Sequence, residues 1–177
     1  MKGFLFTEFL SLVENQCDED TVDDLIHECD LPSQGAYTAV GTYPHQEFTA
    51  LVQAYARHTD KPVAEVLREY GRHLLPLLAN RYPQFIRTSS GPLEFLEDVE
   101  GYVHVEASKF YPEAELPSLK TRRLSPTELE VHYTSQRHLD DFCHGLIEGA
   151  LAHFHRQGEV SKAATTSGTL FTVRLLD

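Results

Sequence analysis

The sequence predicts an α+β protein, with a helical N-terminal lobe packed on a C-terminal lobe that carries a four-stranded antiparallel sheet and long helices. Three observations predict it. Apolar residues recur at helical spacing from Leu5 to Leu78. After Pro117 the period shortens to that of strands. Two pairs of strand-like segments then follow, each pair joined by a short turn rich in Ser, Thr, Pro or Gly, with one long helical pattern between the pairs.

The elements follow in order. Leu5, Phe9, Leu12 and Val13 mark a first helix, and Val22, Leu25, Ile26 and Cys29 a second that is entered through acidic residues. Pro32, Gly35, Gly41 and Pro44 punctuate a loop. A third helix carries Phe48, Leu51, Val52 and Tyr55; a fourth opens at Pro62 with Val63, Val66, Leu67 and Tyr70 inward, and Pro76 should kink or split it. The next helix runs from Pro92 to Tyr111 and closes before Pro112. Ser118–Leu124 and Leu129–Arg137 form a hairpin around Ser125-Pro126-Thr127-Glu128. Leu139–Gln157 is helical, with Phe142, Leu146, Ala150 and Phe154 spaced four apart and Gly158 as its C-cap. Glu159–Ala164 and Thr169–Leu176 form the second hairpin. The lobe boundary falls at Thr59–Pro62, dividing the chain into residues 1–61 and 62–177.

Fifteen basic against 27 acidic residues give a formal charge of −12, which argues against nucleic acid or an anionic membrane as the main partner. Cys17, Cys29 and Cys143 form no CxxC pair and leave an odd count, so a reducing cytoplasm is expected. Lys2 ahead of an apolar run suggests a secretion leader, but Glu8 interrupts that run and Asp18-Glu19-Asp20 follows it. No stretch approaches the roughly 20 apolar residues that span a bilayer.

Two segments carry candidate chemistry. His104 lies on a helical face with Gly101, Ala107 and Ser108, small residues that leave room for something flat against the helix. These same residues could instead serve only close helix packing. Along a strand of period two, Tyr133, Ser135 and Arg137 share a face that offers a phenol, a hydroxyl and a guanidinium fork to carboxylates or phosphates. That alternation also suits an ordinary solvated face. An imidazole on one side and a carboxylate clamp on the other is what a haem with two propionates requires.

At this point the chain resembles a known family, the haem nitric oxide/oxygen binding (H-NOX) domains, which include the haem module of soluble guanylate cyclase. The resemblance rests on Met1-Lys2-Gly3, His104, Phe110-Tyr111-Pro112, Leu116-Pro117-Ser118, Tyr133-x-Ser135-x-Arg137 and Gly145-Leu146-Ile147-Glu148-Gly149. It covers nearly the whole chain and implies a stand-alone bacterial member. The implied cofactor is haem b, seated between a distal lobe (1–61) and a proximal lobe (62–177). His104 would be the iron ligand, Tyr133, Ser135 and Arg137 would bind the propionates, and Pro117 would press on the macrocycle.

The same resemblance implies a gas preference. Some members hold O2 with a distal tyrosine on the helix after the propionate motif; by register from Tyr133 the matching position is Phe142, which has no hydroxyl. A register one residue off places Asp141 or Cys143 there, and the pattern Phe142, Leu146, Ala150 favours Phe142. Leu5, Phe9, Leu74 and Leu78, the other positions of the distal wall, also lack donors. The expectation is an NO-selective sensor that takes CO, forms no stable O2 complex, and signals in trans when NO stretches or breaks the His104–iron bond. A histidine kinase or a cyclic-di-GMP enzyme is the implied partner. Some members hold a structural zinc through cysteines near the C-terminal hairpin; residues 161–176 contain none, so no zinc is expected there.

Two competing readings stand beside this one. His104 with Glu100, Glu106 and Cys143 could be drawn as a hydrolase site, but no nucleophile elbow, P-loop or zinc-protease motif accompanies them, and no enzyme activity is expected. The other is a haem-free module whose donor face takes an organic acid or lipid head group. Adjacent Cys143 and His144, and likewise His153 and His155, diverge around a helix and make a poor metal site.

Overall fold

The computed structural model describes residues 1–86, 89–110 and 115–176, in two compact units, Met1–Tyr70 and Gly71–Asp177. The expected α+β class is found: helices lead, and a four-stranded antiparallel sheet of order β1-β2-β4-β3 occupies the second unit.

In the first unit, α1 (Gly3–Gln16), α2 (Glu19–Glu28), α3 (His45–Thr59) and the opening of α4 (Val63–Arg81) enclose an aromatic core. Phe9 is fully buried and meets Phe48, Tyr55 and Tyr70 edge-on, with centroids 5.5, 5.9 and 5.3 Å away. Such contacts add to the burial that holds the helices together. Asp18 caps α2 by accepting from the backbone N–H and hydroxyl of Thr21, at 2.8 and 2.6 Å. Cys29, expected on the α2 stripe, is instead its C-cap residue.

The loop before α3 is anchored from two sides. Glu47, only 4% exposed, accepts from the Tyr37 hydroxyl at 2.8 Å and from the hydroxyl and N–H of Ser33. At the other side, a Cβ on Gly3 would lie 1.9 Å from the Thr38 carbonyl oxygen, so only glycine admits this approach. The Met1-Lys2-Gly3 opening is therefore an anchor for this loop, reinforced by the Met1 ammonium on the Tyr43 carbonyl at 2.7 Å.

The second unit holds the rest of α4, α5 (Pro92–Asp98), a π-helical turn (Val99–Val103), α6 (His104–Phe110), α7 (Asp140–His153) and the sheet. The sheet strands are β1 (Ser118–Ser125), β2 (Glu128–Thr134), β3 (Gly158–Thr165) and β4 (Gly168–Leu175). Leu129, Val131 and Tyr133 alternate onto the face that also carries Phe171 and Val173; Leu93, Phe95 and Leu96 of α5 and Cys143, Ile147, Ala150 and Leu151 of α7 cover it.

Several expectations change. α4 is not split at Pro76 but continues through it. Pro76 is exposed, so the helix forgoes one N–H bond where water can satisfy the orphaned carbonyl. The single helix expected from Pro92 is three pieces, because a π turn precedes His104; the stretch beyond Phe110, including Tyr111-Pro112 of the Phe110-Tyr111-Pro112 motif, lies outside the described residues. β2 ends at Thr134 rather than Arg137. The buried side of α7 is Cys143, Ile147, Ala150 and Leu151, whereas Phe142, Leu146 and Phe154 are only half-buried. Of the four-apart pattern, Ala150 is thus fully buried and Leu146 and Phe154 pack at the margin of the same core.

Candidate functional site

His104 opens α6 immediately after the π turn, and its N–H bonds to the Val99 carbonyl five residues back. A wide turn of this kind is unfavourable on its own and is found most often beside functional residues. The His104 side chain is 19% exposed, and its Nδ1 stands 3.6 Å from Glu100 Oε2. Burial pulls the imidazole pKa down, and Glu100 opposes this without cancelling it. A Cβ added at Gly101, one turn earlier, would meet nothing within 4 Å. Gly101 therefore leaves that face of the turn free of side chains.

Glu100 is itself held by β1. Its Oε1 accepts from the Ser118 hydroxyl at 3.0 Å and its Oε2 from the Leu119 N–H at 2.8 Å. Burial raises its pKa, but these donors and His104 outweigh that and hold the carboxyl below the usual carboxylate range. Glu94 and Glu97, on the same side of α5, both take Arg123 of β1, through Nη2 at 2.9 and 2.6 Å.

The structure does bring Tyr133, Ser135 and Arg137 together, although not by strand alternation. Tyr133 is the last buried residue of β2, and Ser135 and Arg137 follow in a turn. Burial raises the Tyr133 phenol pKa, while hydrogen bonds with Ser135 and the Leu139 N–H act the other way. The Ser135 hydroxyl accepts the Arg137 N–H at 3.2 Å, the local bond by which serine shapes a turn. Arg137 Nη2 donates to Glu115 at 2.9 Å; its side chain is 18% exposed and that of Glu115 86%. So exposed a carboxylate is readily replaced by one arriving on a ligand, to which the guanidinium can present two parallel donors.

The other expected positions fall as follows. Pro117 is half-buried just ahead of β1, Leu74 is fully buried and Leu78 half-buried on α4. In the first unit Leu5 is half-buried on α1 and Phe9 sits in the aromatic core. Phe142 is half-buried on α7; its neighbours point elsewhere, Asp141 to an ion pair with Lys162 and Cys143 into the sheet core, where burial pushes the thiol pKa to about 12. Sequence reasoning gave Glu100 only a place in the rejected hydrolase drawing. The signal available for it was a carboxylate four residues before a helical histidine. Among the described residues no group of three or more His, Cys, Asp or Glu could hold a metal ion.

A family model described as Haem-NO-binding matches residues 2–162. The chain belongs to the H-NOX family. Among solved structures, it is similar over its whole length to the Fe(II) unliganded H-NOX protein from K. algicida, at 32% identity and TM-score 0.95, covering 97% of that chain. An H-NOX from Shewanella woodyi, bound to IWP-051 in the Fe(II)CO state, shares 31% identity at TM-score 0.84, over 98% of this chain and 94% of that one. An H-NOX protein from S. oneidensis in the Fe(II)NO state shares the fold at TM-score 0.93 and 23% identity, over 100% of both chains. No curated protein matches the chain.

The residues present suit the haem that H-NOX domains bind. A half-buried imidazole with its Nδ1 toward Glu100, and a Tyr–Ser–Arg turn that offers donors to carboxylates, are the groups such a cofactor needs. His104 would hold the iron and Tyr133, Ser135 and Arg137 the propionates.

Proposed function

We propose that this H-NOX domain is an NO-selective haem b sensor that takes CO, forms no stable O2 complex, and signals in trans through an NO-induced change at the His104–iron bond. The observation that carries the reading is His104 itself, half-buried and turned with Nδ1 toward Glu100, which would leave Nε2 for the metal. Haem held by His104 would supply a ferrous iron able to bind a diatomic gas. Pro117 would lie against the macrocycle, and Arg137 would give up Glu115 to hold a propionate.

Selectivity follows from what the distal positions lack. Leu5 and Phe9 of the distal helices (residues 1–61), and Leu74, Leu78 and Phe142, have no hydroxyl. The fully buried Tyr70 hydroxyl is already given to the Leu5 carbonyl at 2.7 Å. The ion pair of Asp141 and the burial of Cys143 support the register that puts Phe142 at the gas site. A Phe142→Tyr variant is expected to gain measurable O2 affinity, its new donor slowing O2 release about 10–100-fold. Stopped-flow O2 dissociation measures this, and a variant that remains blind to O2 rejects the pocket assignment.

No helix among the described residues is long and apolar enough to cross a membrane. The proposed setting is the cytoplasm, with a histidine kinase or a cyclic-di-GMP enzyme as the partner in trans. The deciding experiment is the visible spectrum of the reduced protein without oxygen, in air and with NO. The expected result is a five-coordinate haem that air leaves unchanged at first and NO shifts. A stable oxy spectrum would overturn the selectivity. A colourless protein that takes up no haem would favour a module for an organic acid or lipid head group.

A further inference from the structure

We propose that Glu100 is a positioning residue for His104, holding the imidazole by Nδ1 and tying it through the same carboxylate to the first residues of β1. This rests on the reading of His104 as the iron ligand. The two oxygens of Glu100 take different partners. Oε1 accepts from the Ser118 hydroxyl, while Oε2 accepts from the Leu119 N–H and faces His104 Nδ1. A carboxylate oxygen has lone pairs for two donors. The 3.6 Å separation from Nδ1 exceeds a formed hydrogen bond, and rotation about the outer bonds of either side chain can close it.

An Nδ1–H aimed at a carboxylate fixes the tautomer whose Nε2 lone pair faces the metal and makes that nitrogen a stronger donor to iron. The same carboxylate attaches the imidazole to the sheet, because Ser118 and Leu119 are the first residues of β1 and Glu94 and Glu97 grip Arg123 further along the strand. A displacement of His104 would pull on a strand already clasped by this helix.

The test compares wild type, Glu100→Gln and Ser118→Ala. In resonance Raman spectra of the ferrous protein, Glu100→Gln is expected to lower the iron–histidine stretching frequency. Haem loss to a scavenging apoglobin should quicken about tenfold, the low end for an outer partner of a metal ligand because the Glu100 side chain is 43% exposed. Ser118→Ala, which releases only one side of the carboxylate, should shift the frequency less in the same direction. An unchanged frequency in a folded Glu100→Gln variant overturns the proposal. If Glu100→Gln fails to fold, the haem-free wild type decides: at about pH 8, where imidazole is neutral, the ring nitrogen spectrum should place the His104 proton on Nδ1. A proton on Nε2 overturns the proposal. Because this readout needs no haem, an Nδ1 proton in a chain that binds no haem would refute the sensor reading and leave the Glu100 contact standing.

Discussion

A His104→Gly variant is expected to retain its fold and lose the protein ligand to haem iron, regaining a five-coordinate ferrous spectrum only when free imidazole is supplied. The fold survives because His104 is half-buried and contributes no residue to the hydrophobic core, and because Glu100 keeps Ser118 and Leu119 as donors after the ring is gone. The deleted ring is partly exposed, so free imidazole can take its place. Ferrous absorption spectra with and without imidazole measure the effect. An ordinary five-coordinate spectrum in the variant without imidazole would remove His104 from the site and, with it, the proposed signalling step.

Replacing Gly71 by valine is expected to cost about 3 kcal/mol, the upper range for overpacking a core. A Cβ there would lie 2.4 Å from the Phe142 carbonyl oxygen, 2.7 Å from the Leu146 nitrogen and 2.8 Å from the Gly145 carbonyl carbon. All three are backbone atoms and cannot rotate away, so α4 and α7 must separate. Gly149 marks the same crossing from the other helix, with Leu75 Cβ 2.9 Å from its hypothetical Cβ. For a chain of this size the loss corresponds to a melting temperature lower by about 6–12 °C. Gly101→Ala, whose added methyl meets nothing within 4 Å, should shift it far less. Equal melting of the two variants would refute the close crossing. The Gly71 variant should also alter gas binding, because the contact it breaks includes the backbone of Phe142.

The helices, both hairpins and the residues of the candidate site were legible because each has a local signature: apolar period, turn chemistry, or a run of donors. What stayed hidden depends on contacts between elements. The π turn before His104 has no marker of its own, and Val99–Val103 reads as ordinary helix. β2 was drawn too long because Ser135 and Arg137 continue its polar alternation, whereas the serine hydroxyl bends the chain into a turn. The burial of Cys143 on α7 was not read from the pattern because Phe142 beside it is the larger apolar residue, yet the sheet core takes the smaller one. Glu47 and Glu100 look like surface acids in sequence; only folding shows the hydroxyls and N–H groups brought to them.

The grip on β1 bears on self-association as well. β1 and β3 are the two outer strands, and an outer strand with idle backbone donors invites a neighbouring molecule to extend the sheet. On β1 the outward N–H of Leu119 is spent on Glu100, and the helix carboxylates lie along the same border through Arg123. One donor of that rim is thus satisfied within the chain. At the opposite rim β3 relies on charge, with Lys162 pinned between Asp140 and Asp141. Glu100, beside the candidate haem ligand, thus also removes one point at which another strand could pair with this edge.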